Sequence, residues 1–582
     1  SRALKVNQVG YLPDAKGKFA YLGACLWEFG PHDFSFAREF KVVSVATGEV
    51  VHKGEVRLRE KNPRFAPRPD KGDDPAQRPL IAGEDVYELD LSGLKAEGEF
   101  FITIPGVGRS WTFRHAKDAY AEAFYTACRG LYHQRCGIAL EEKYTPWTRI
   151  QCHTDPIYES GHIPFGPGAD FKPPKGYEVF DVFGATTDLT RQTTNPRGGW
   201  HDAADWDRNI AHYTCVFDLL NAYELWPSKF SDGQLHIPES GNGIPDILDE
   251  AEFGLEVWKR SMTPDGGVAG MVETWTHPKI DDPNVKYSYS RRTRWSSLLF
   301  AAGAAQFAHL VKPFGADKAR EYEALARKAY AFGSNPVNSL GKVAIQARKG
   351  RGKGDAYTLE WEEKDSMIQP FLVHAKLRLC ILTGDTSYLK DVPKLVEGVL
   401  PPFQWPNRWQ DYSAWLYFDI AHKLADKLPA ETVRKWKDFF VGKGTERAGM
   451  NEAMPYRCSW PRHQDYWMGW GASVMTNYSR AELMAQALTG DEKLRDAAVQ
   501  NADFMLGANP LGLSFTTGLG YAYPIDIQHA NSENDAVMDP VPGITIYGLT
   551  GGSYMQLRNN VWRSPTASGA KDYVDFMKPA NQ

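Results

Sequence analysis

The spacing of apolar positions changes once along the chain. Up to about residue 115 they fall in short runs rich in β-formers: 19–22 (Phe-Ala-Tyr-Leu), 40–45, 86–91 and 100–104. Turn signals such as Ala46-Thr47-Gly48 and Pro105-Gly106 separate them, the spacing of an all-β sandwich of about a hundred residues. A Pro- and charge-rich stretch, 62–79, interrupts the pattern as a surface loop. From about Asp118 the period becomes helical and is expected to stay so to about Leu506. The segments expected as helices are 119–132, 215–226, 247–259, 296–311, 316–332, 368–382, 414–428, 431–441, 473–488 and 492–506. Leu382-Thr383-Gly384-Asp385 recurs as Leu488-Thr489-Gly490-Asp491, with Gly where a left-handed C-terminal cap is wanted and Asp where the next helix needs an N-cap. Repeated helical hairpins without a strict short period predict a closed helical barrel. The domains are therefore expected at 1–117 and 118–582.

Composition narrows the partners. A chain of 582 residues with 42% apolar and 24% charged residues is globular, and a net charge of −5 offers no electrostatic attraction to nucleic acid or an anionic membrane. A neutral substrate fits better. No apolar run is long enough to span a bilayer. The 18 Trp and 27 Tyr suit sugar-stacking surfaces, although large cores also consume them. The seven cysteines, 25, 128, 136, 152, 215, 380 and 458, are odd in number and mostly far apart, unlike a disulfide framework.

Gly198-Gly199-Trp200-His201-Asp202-Ala203-Ala204-Asp205-Trp206-Asp207 concentrates three carboxylates and two indoles after a turn-forming Asn195-Pro196-Arg197. If a helical turn begins after Trp200, Asp202 and Asp205 point to one side and can hold a water between them. An Asp-x-x-Asp can equally cap a helix and complement its dipole. The flanking glycines, which let a ligand approach the backbone, and the two tryptophans favour a carbohydrate-cleaving site.

His133-x2-Cys136 followed by Cys152-His153 places thiolates and imidazoles as pairs flanking a loop, a spacing that suits tetrahedral zinc. Buried cysteines and surface histidines would read the same way. Glu239, Asn242, Asp246 and Asp249 form an oxygen-only set leading into a helix with Pro245 at its start. Such a set suits calcium, or simply decorates a helix N-terminus with negative charge.

The Gly-Gly-Trp-His-Asp-Ala-Ala-Asp segment resembles the catalytic-base motif of family 9 glycoside hydrolases, mostly cellulases, where Gly-Gly-Trp-Tyr-Asp-Ala-Gly-Asp is usual; His201 and Ala204 depart from it. Val6-Asn7-Gln8-Val9-Gly10-Tyr11 looks like the start of the immunoglobulin-like domain that precedes many members. The segments 237–251 and 506–520 are similar to the family as well, and the four stand in the family's order. The resemblance implies an N-terminal all-β immunoglobulin-like sandwich followed by an all-α (α/α)6 barrel. It also implies inverting hydrolysis of β-1,4-linked glucans, polysaccharide or oligosaccharide. Asp205 matches the general base and Asp202 the carboxylate that helps position the water. Inversion needs its acid and base roughly 6.5–9.5 Å apart, so both aspartates belong to the water side.

The family's acid is a Glu near the C-terminus, and this chain has no Glu after Glu533. The expectation is that the acid lies beyond Gln582, with Glu533 as the alternative within the chain. The resemblance implies a structural zinc at the segments of Cys136 and Cys152-His153; Arg149 stands where a further ligand His is expected, and His133 is the candidate to replace it. It likewise implies a structural calcium at the set 239–249, to which Ile244 can add a backbone carbonyl. Trp200 and His529 are expected to contact the sugar, although the usual His-His-Arg is reduced here to Gln528-His529-Ala530. A secreted or periplasmic monomer is expected, with any signal peptide removed from, or left out of, the sequence given. The runners-up are an exo-acting member of the same family and a non-catalytic glycan-binding relative.

Overall fold

The computed structural model describes residues 1–26, 29–68, 70–78, 80–154, 157–160, 187–193, 197–201, 212–270, 272–273, 287–348, 355–397, 414–463, 471–525, 527, 529, 531–532, 537 and 539–546. The chain divides into two compact units: Ser1–Gly130 with Phe440–Gln528 and Val537–Gln582, and Leu131–Phe439 with His529–Ala536.

The first unit contains the strands β1 (Leu4–Lys5), β2 (Gly10–Tyr11), β3 (Phe19–Leu22), β4 (Glu39–Ser44), β5 (Val50–Glu60), β6 (Val86–Asp90), β7 (Gly98–Ile104), β8 (Gly108–Arg109) and β9 (Phe113–His115). Their order is β1-β3-β6-β5-β4-β7-β9-β2, with β8 on β7. Strand β5 divides its pairing: its first half, to Glu55, runs antiparallel to β4, and from Val56 onward it pairs with β6. It is absent from the expected strands because Val50–Glu60 mixes apolar with charged residues and buries none of its side chains fully. Leu22, Phe40, Val42, Leu89, Phe100, Ile102 and Phe113 form the core, each almost fully buried. Full burial of such a side chain stabilises by about 1.5–3 kcal/mol.

The stretch Val6 to Tyr11 owes its polar residues to local structure. Asn7 Oδ1 accepts from the amides of Val9 and Gly10, and its Nδ2 donates to Asp503 at 2.8 Å. Gln8 Oε1 accepts from the amides of Tyr521 and Ala522. Tyr120 also donates to Asp503, at 2.6 Å, and burial pushes that carboxyl up to about 7.

The helices are α1 (Ala121–Gln134), α2 (Tyr213–Leu225), α3 (Asp246–Ser261), α4 (Arg294–Val311), α5 (Ala316–Ser334), α6 (Asp365–Thr383), α7 (Val392–Leu395), α8 (Phe418–Ala421), α9 (Ala430–Ala453), α10 (Gly471–Thr489) and α11 (Glu492–Met505). In the second unit α2 packs on α3, and α4 packs on α5 and α6. Helix α4 is buried on nearly every side and starts at a Thr293/Ser296 capping box. The two Leu-Thr-Gly-Asp turns share one geometry. Gly384 and Gly490 have φ of 74° and 71°, and Asp385 and Asp491 each accept from the amide two residues on, at 2.9 Å.

Three expectations change. The helix expected over 414–428 is only the single turn α8, where Asp419, 1% exposed, pairs with Arg378 Nε at 2.9 Å instead of facing water. Helix α9 runs to Ala453, well past the expected 441, in spite of Gly442, Gly444 and Gly449. The region expected to be wholly helical contains strands. β10 (Ile157–Ser160), β11 (Thr187–Thr193), β13 (Val272–Glu273) and β14 (Ser288–Tyr289) form one sheet; β12 (Val268–Ala269) pairs with β15 (Arg292–Thr293), and β16 (Lys342–Arg348) and β17 (Ala356–Glu362) form a hairpin.

Candidate active site and metal centre

The segment from Gly198 to His201 is held by backbone bonds to three residues of the second unit. Gly198 N donates to Cys136 O, Gly199 O accepts from Cys136 N, Gly199 N donates to Phe253 O of α3, and His201 N donates to Gln134 O at 2.8 Å. Gly198 has φ of +111°, and a Cβ there would stand 2.5 Å from Val257 N. The glycines therefore serve close packing against α3, where the sequence suggested room for a ligand.

Trp200 is 3% exposed, with its ring end against Gly254 and its Nε1 donating to Glu250 Oε1 at 2.8 Å. Its ring is core, so its contribution is to anchor the residues that follow. Glu250 in turn meets Arg135, which donates from Nε at 3.1 Å and forks from Nη1 onto both oxygens of Glu239 at 3.0 and 2.8 Å. Against the desolvation that burial imposes, Glu250 and Glu239 raise the guanidinium above its ordinary pKa. The Arg135–Glu250–Trp200 chain was not anticipated, because its members are far apart in sequence and each reads alone as an ordinary core or surface residue.

Asp202, Asp205 and Glu533 lie outside the described residues. His529 is 2% exposed, its Nε2 2.7 Å from Gln134 Oε1 and its Nδ1 2.8 Å from Ser532 Oγ. Gln134 also receives His201 through its backbone carbonyl, so His529 stands one residue's reach from the segment that leads to Asp202.

Cys136, Cys152 and His153 come together as expected, but the fourth member is His201. One ligand atom from each of the four lies within 4.8 Å of all the others. His133 does not join them; its Nε2 is 2.9 Å from Thr145 Oγ1. Cys136 Sγ is 3.0 Å from His153 Nδ1, and Cys152 Sγ is 3.3 Å from His201 Nε2. The hydrogen bond with Cys136 holds the Cys152 thiol well below its usual range, against opposing desolvation and with help from His201 and His153. His153 has φ of +51°, a left-handed backbone that a non-glycine residue adopts at a cost of about 1–3 kcal/mol. Two thiols, one disposed to ionise, and two imidazoles at this separation are the donor set of a closed tetrahedral metal site. His201 was legible only as a departure from the motif, because the pairing spans 49 positions from Cys152.

The oxygen set does not gather in the same way. Both oxygens of Glu239 are engaged by Arg135. Asp246 accepts from the amides of Gly233 and Leu235 and from Ser240 Oγ, while Asn242 Oδ1 accepts from Ile244 N. Asn242 turns its Nδ2, a donor, to Asp249 at 3.1 Å. Burial raises Asp249 to about 7. As placed, Glu239, Asn242, Asp246 and Asp249 stabilise the turn into α3 through these bonds. Among the described residues, the cysteine–histidine group is the cluster with metal-binding geometry.

Sequence and structure comparisons place these observations. A model of the cellulase N-terminal ig-like domain matches residues 1–109, and one of glycosyl hydrolase family 9 matches residues 120–579. The chain is 25% identical to a xyloglucan-specific endo-beta-1,4-glucanase of Bacteroides ovatus, covering 98% of this chain and 89% of that one. It is 27% identical to a cellulose 1,4-beta-cellobiosidase of Acetivibrio thermocellus, across 89% of this chain and 58% of the relative. A metagenome-derived glycoside hydrolase family 9 endoglucanase of known structure superposes with a TM-score of 0.71 at 27% identity, over 94% of this chain and 90% of that one. The fold class is the one expected, an immunoglobulin-like domain of strands followed by the helical (α/α)6-barrel domain. With that match running through the acidic segment and nearly to its end, the chain belongs to glycosyl hydrolase family 9.

Proposed function

We propose that this family 9 hydrolase cleaves β-1,4-glucosidic bonds of cellulose or related β-glucans as an inverting endoglucanase. Its catalytic domain would begin near residue 118. The observation that carries the reading is the anchoring of Gly198 to His201 directly before the acidic pair, in a chain similar over nearly its whole length to an endo-beta-1,4-glucanase. Asp205 takes the proton of the attacking water and Asp202 orients that water. Trp200, tied to Glu250, and His201 fix where the acidic segment starts, so the water-side carboxylates meet the sugar from a set position; such placement is worth several kcal/mol of barrier. His529, buried and bonded to Gln134 and Ser532, supports the same segment from behind, and its contact with the sugar is through the position it gives that segment. Protonation of the leaving oxygen falls to a separate carboxylic acid about 6.5–9.5 Å from the base.

The donor set of Cys136, Cys152, His153 and His201 suits zinc. With four protein ligands the ion would be structural, tying the 136–153 loop to the segment before Asp202. The enzyme is proposed to act as a secreted or periplasmic monomer on polymeric or oligomeric glucan.

Asp205→Asn tests the assignment. Hydrolysis of a soluble β-glucan should fall by about 10²–10⁴-fold, and the parent's first product should carry the α configuration by proton NMR. A first product of β configuration refutes inversion. The similarity to a cellobiosidase supports a second reading, exo-action. Rapid loss of polymer viscosity identifies endo-action, and a single short product identifies exo-action. Glu533→Gln with parental turnover removes Glu533 as the acid.

A further inference from the structure

Arg149 stands beside the cysteine–histidine centre in an unusual way. Its Nη1 is 2.9 Å from His201 Nδ1 and its Nη2 donates to Arg135 O at 2.5 Å, while its Nε is buried without a hydrogen-bond partner. Reciprocal backbone bonds between Leu140 and Arg149 hold it there. Among the described residues no carboxylate within ion-pairing distance of it is found. A guanidinium has donors and no acceptor, so His201 Nδ1 accepts, and a neutral ring then carries its proton on Nε2. That nitrogen faces Cys152 Sγ at 3.3 Å.

Metal ligation asks for the opposite arrangement. An imidazole bound through Nε2 carries its proton on Nδ1 and donates it to a carboxylate, a carbonyl or water, which orients the ring and raises its basicity. Here that proton would point at a donor, and the incoming cation would also approach a fixed positive charge. We propose that Arg149 tunes the metal affinity of this centre: its guanidinium, 2.9 Å from His201 Nδ1, sets a donor and a fixed positive charge where a ligand imidazole is best served by an acceptor, so the ion binds less tightly than the same four ligands would hold it without that neighbour. The inference rests on reading the four side chains as a metal site.

The test is a titration of the chelator-stripped full chain with Co(II), competed by a chromophoric chelator. It follows the thiolate-to-cobalt absorption in the near ultraviolet and the visible bands of a tetrahedral site. Arg149→Gln supplies an acceptor for Nδ1–H and removes the charge; it should bind at least about tenfold more tightly than the parent, the size of effect seen for partners of metal ligands. Arg149→Lys keeps a cationic donor and should stay near the parent. Arg149→Met serves if the Gln variant shows no cooperative melt, with the same direction expected from loss of charge alone. Unchanged or weaker binding in the Gln or Met variant overturns the inference while leaving the metal reading in place. If neither parent nor variants develop the thiolate band, the metal reading fails and the inference with it.

Discussion

Replacing Arg135 by Met is the sharpest probe of how the acidic segment is held. The guanidinium is fully buried between two carboxylates of unequal exposure: the Glu250 side chain is 0% exposed and that of Glu239 26%. Removing the cation leaves the buried Glu250 carboxyl with Trp200 Nε1, at 2.8 Å, as its remaining donor among the described residues. Breaking a buried pair from one side costs about 3–5 kcal/mol. Glu239 reaches water and loses only what a partly exposed pair supplies, about 1 kcal/mol or less. Arg135→Met should therefore destabilise by about 3–5 kcal/mol, nearly all of it through Glu250. The added substitution Glu250→Gln, which removes the stranded carboxyl and keeps an acceptor for Trp200, should recover more than half of the loss. Urea denaturation followed by indole fluorescence measures both variants, with the double-mutant cycle isolating the pair. A cost below about 1 kcal/mol for Arg135→Met refutes the argument, as does a double variant no more stable than the single one.

Other consequences can be measured alongside. Gly198→Ala adds a methyl 2.5 Å from Val257 N at a φ of +111° and should lower stability by about 1–3 kcal/mol from the backbone alone, with activity falling as Trp200 shifts; an unchanged melting temperature would contradict the packing described. Asp503 is held near 7 by burial, above the roughly 3.9 of an unfolded aspartate, so the folded state binds the extra proton between those values and stability falls as pH rises from about 4 to 7. Asp503→Asn should flatten that slope, and relative to the parent it should gain roughly 3–4 kcal/mol at pH 8 over its standing at pH 4; parallel pH profiles would sink the assignment. Cys152→Ser should cut bound zinc by most of its stoichiometry and lower the melting temperature of the zinc-loaded chain, read by metal analysis and calorimetry.

What the sequence disclosed and what it withheld follow the range of the interactions. The strands at 19–22 and 86–90 and the paired Leu-Thr-Gly-Asp turns are local, set by β-propensity, a positive φ and an Asp one position later, and they were readable. Strand β5 was not, because its residues mix apolar with charged and none is fully buried, and it is defined by its partners. The same holds at the site. Cys136, Cys152 and His153 lie within one loop and announced themselves, whereas His201 joins them from the far side of a long stretch of chain. Trp200 suggested a sugar platform by type, and only the burial of its ring and its bond to Glu250 mark it as an internal anchor.

The divided pairing of β5 bears on how the N-terminal strands come apart. One half of the strand completes the ladder of β4 and the other that of β6, so the two sets of strands part only by breaking one half of β5's own pairing. Amides of β4 and β6 should then exchange with solvent at a common rate, in a single opening event. A protease able to cleave near Glu55 would free both layers at one stroke.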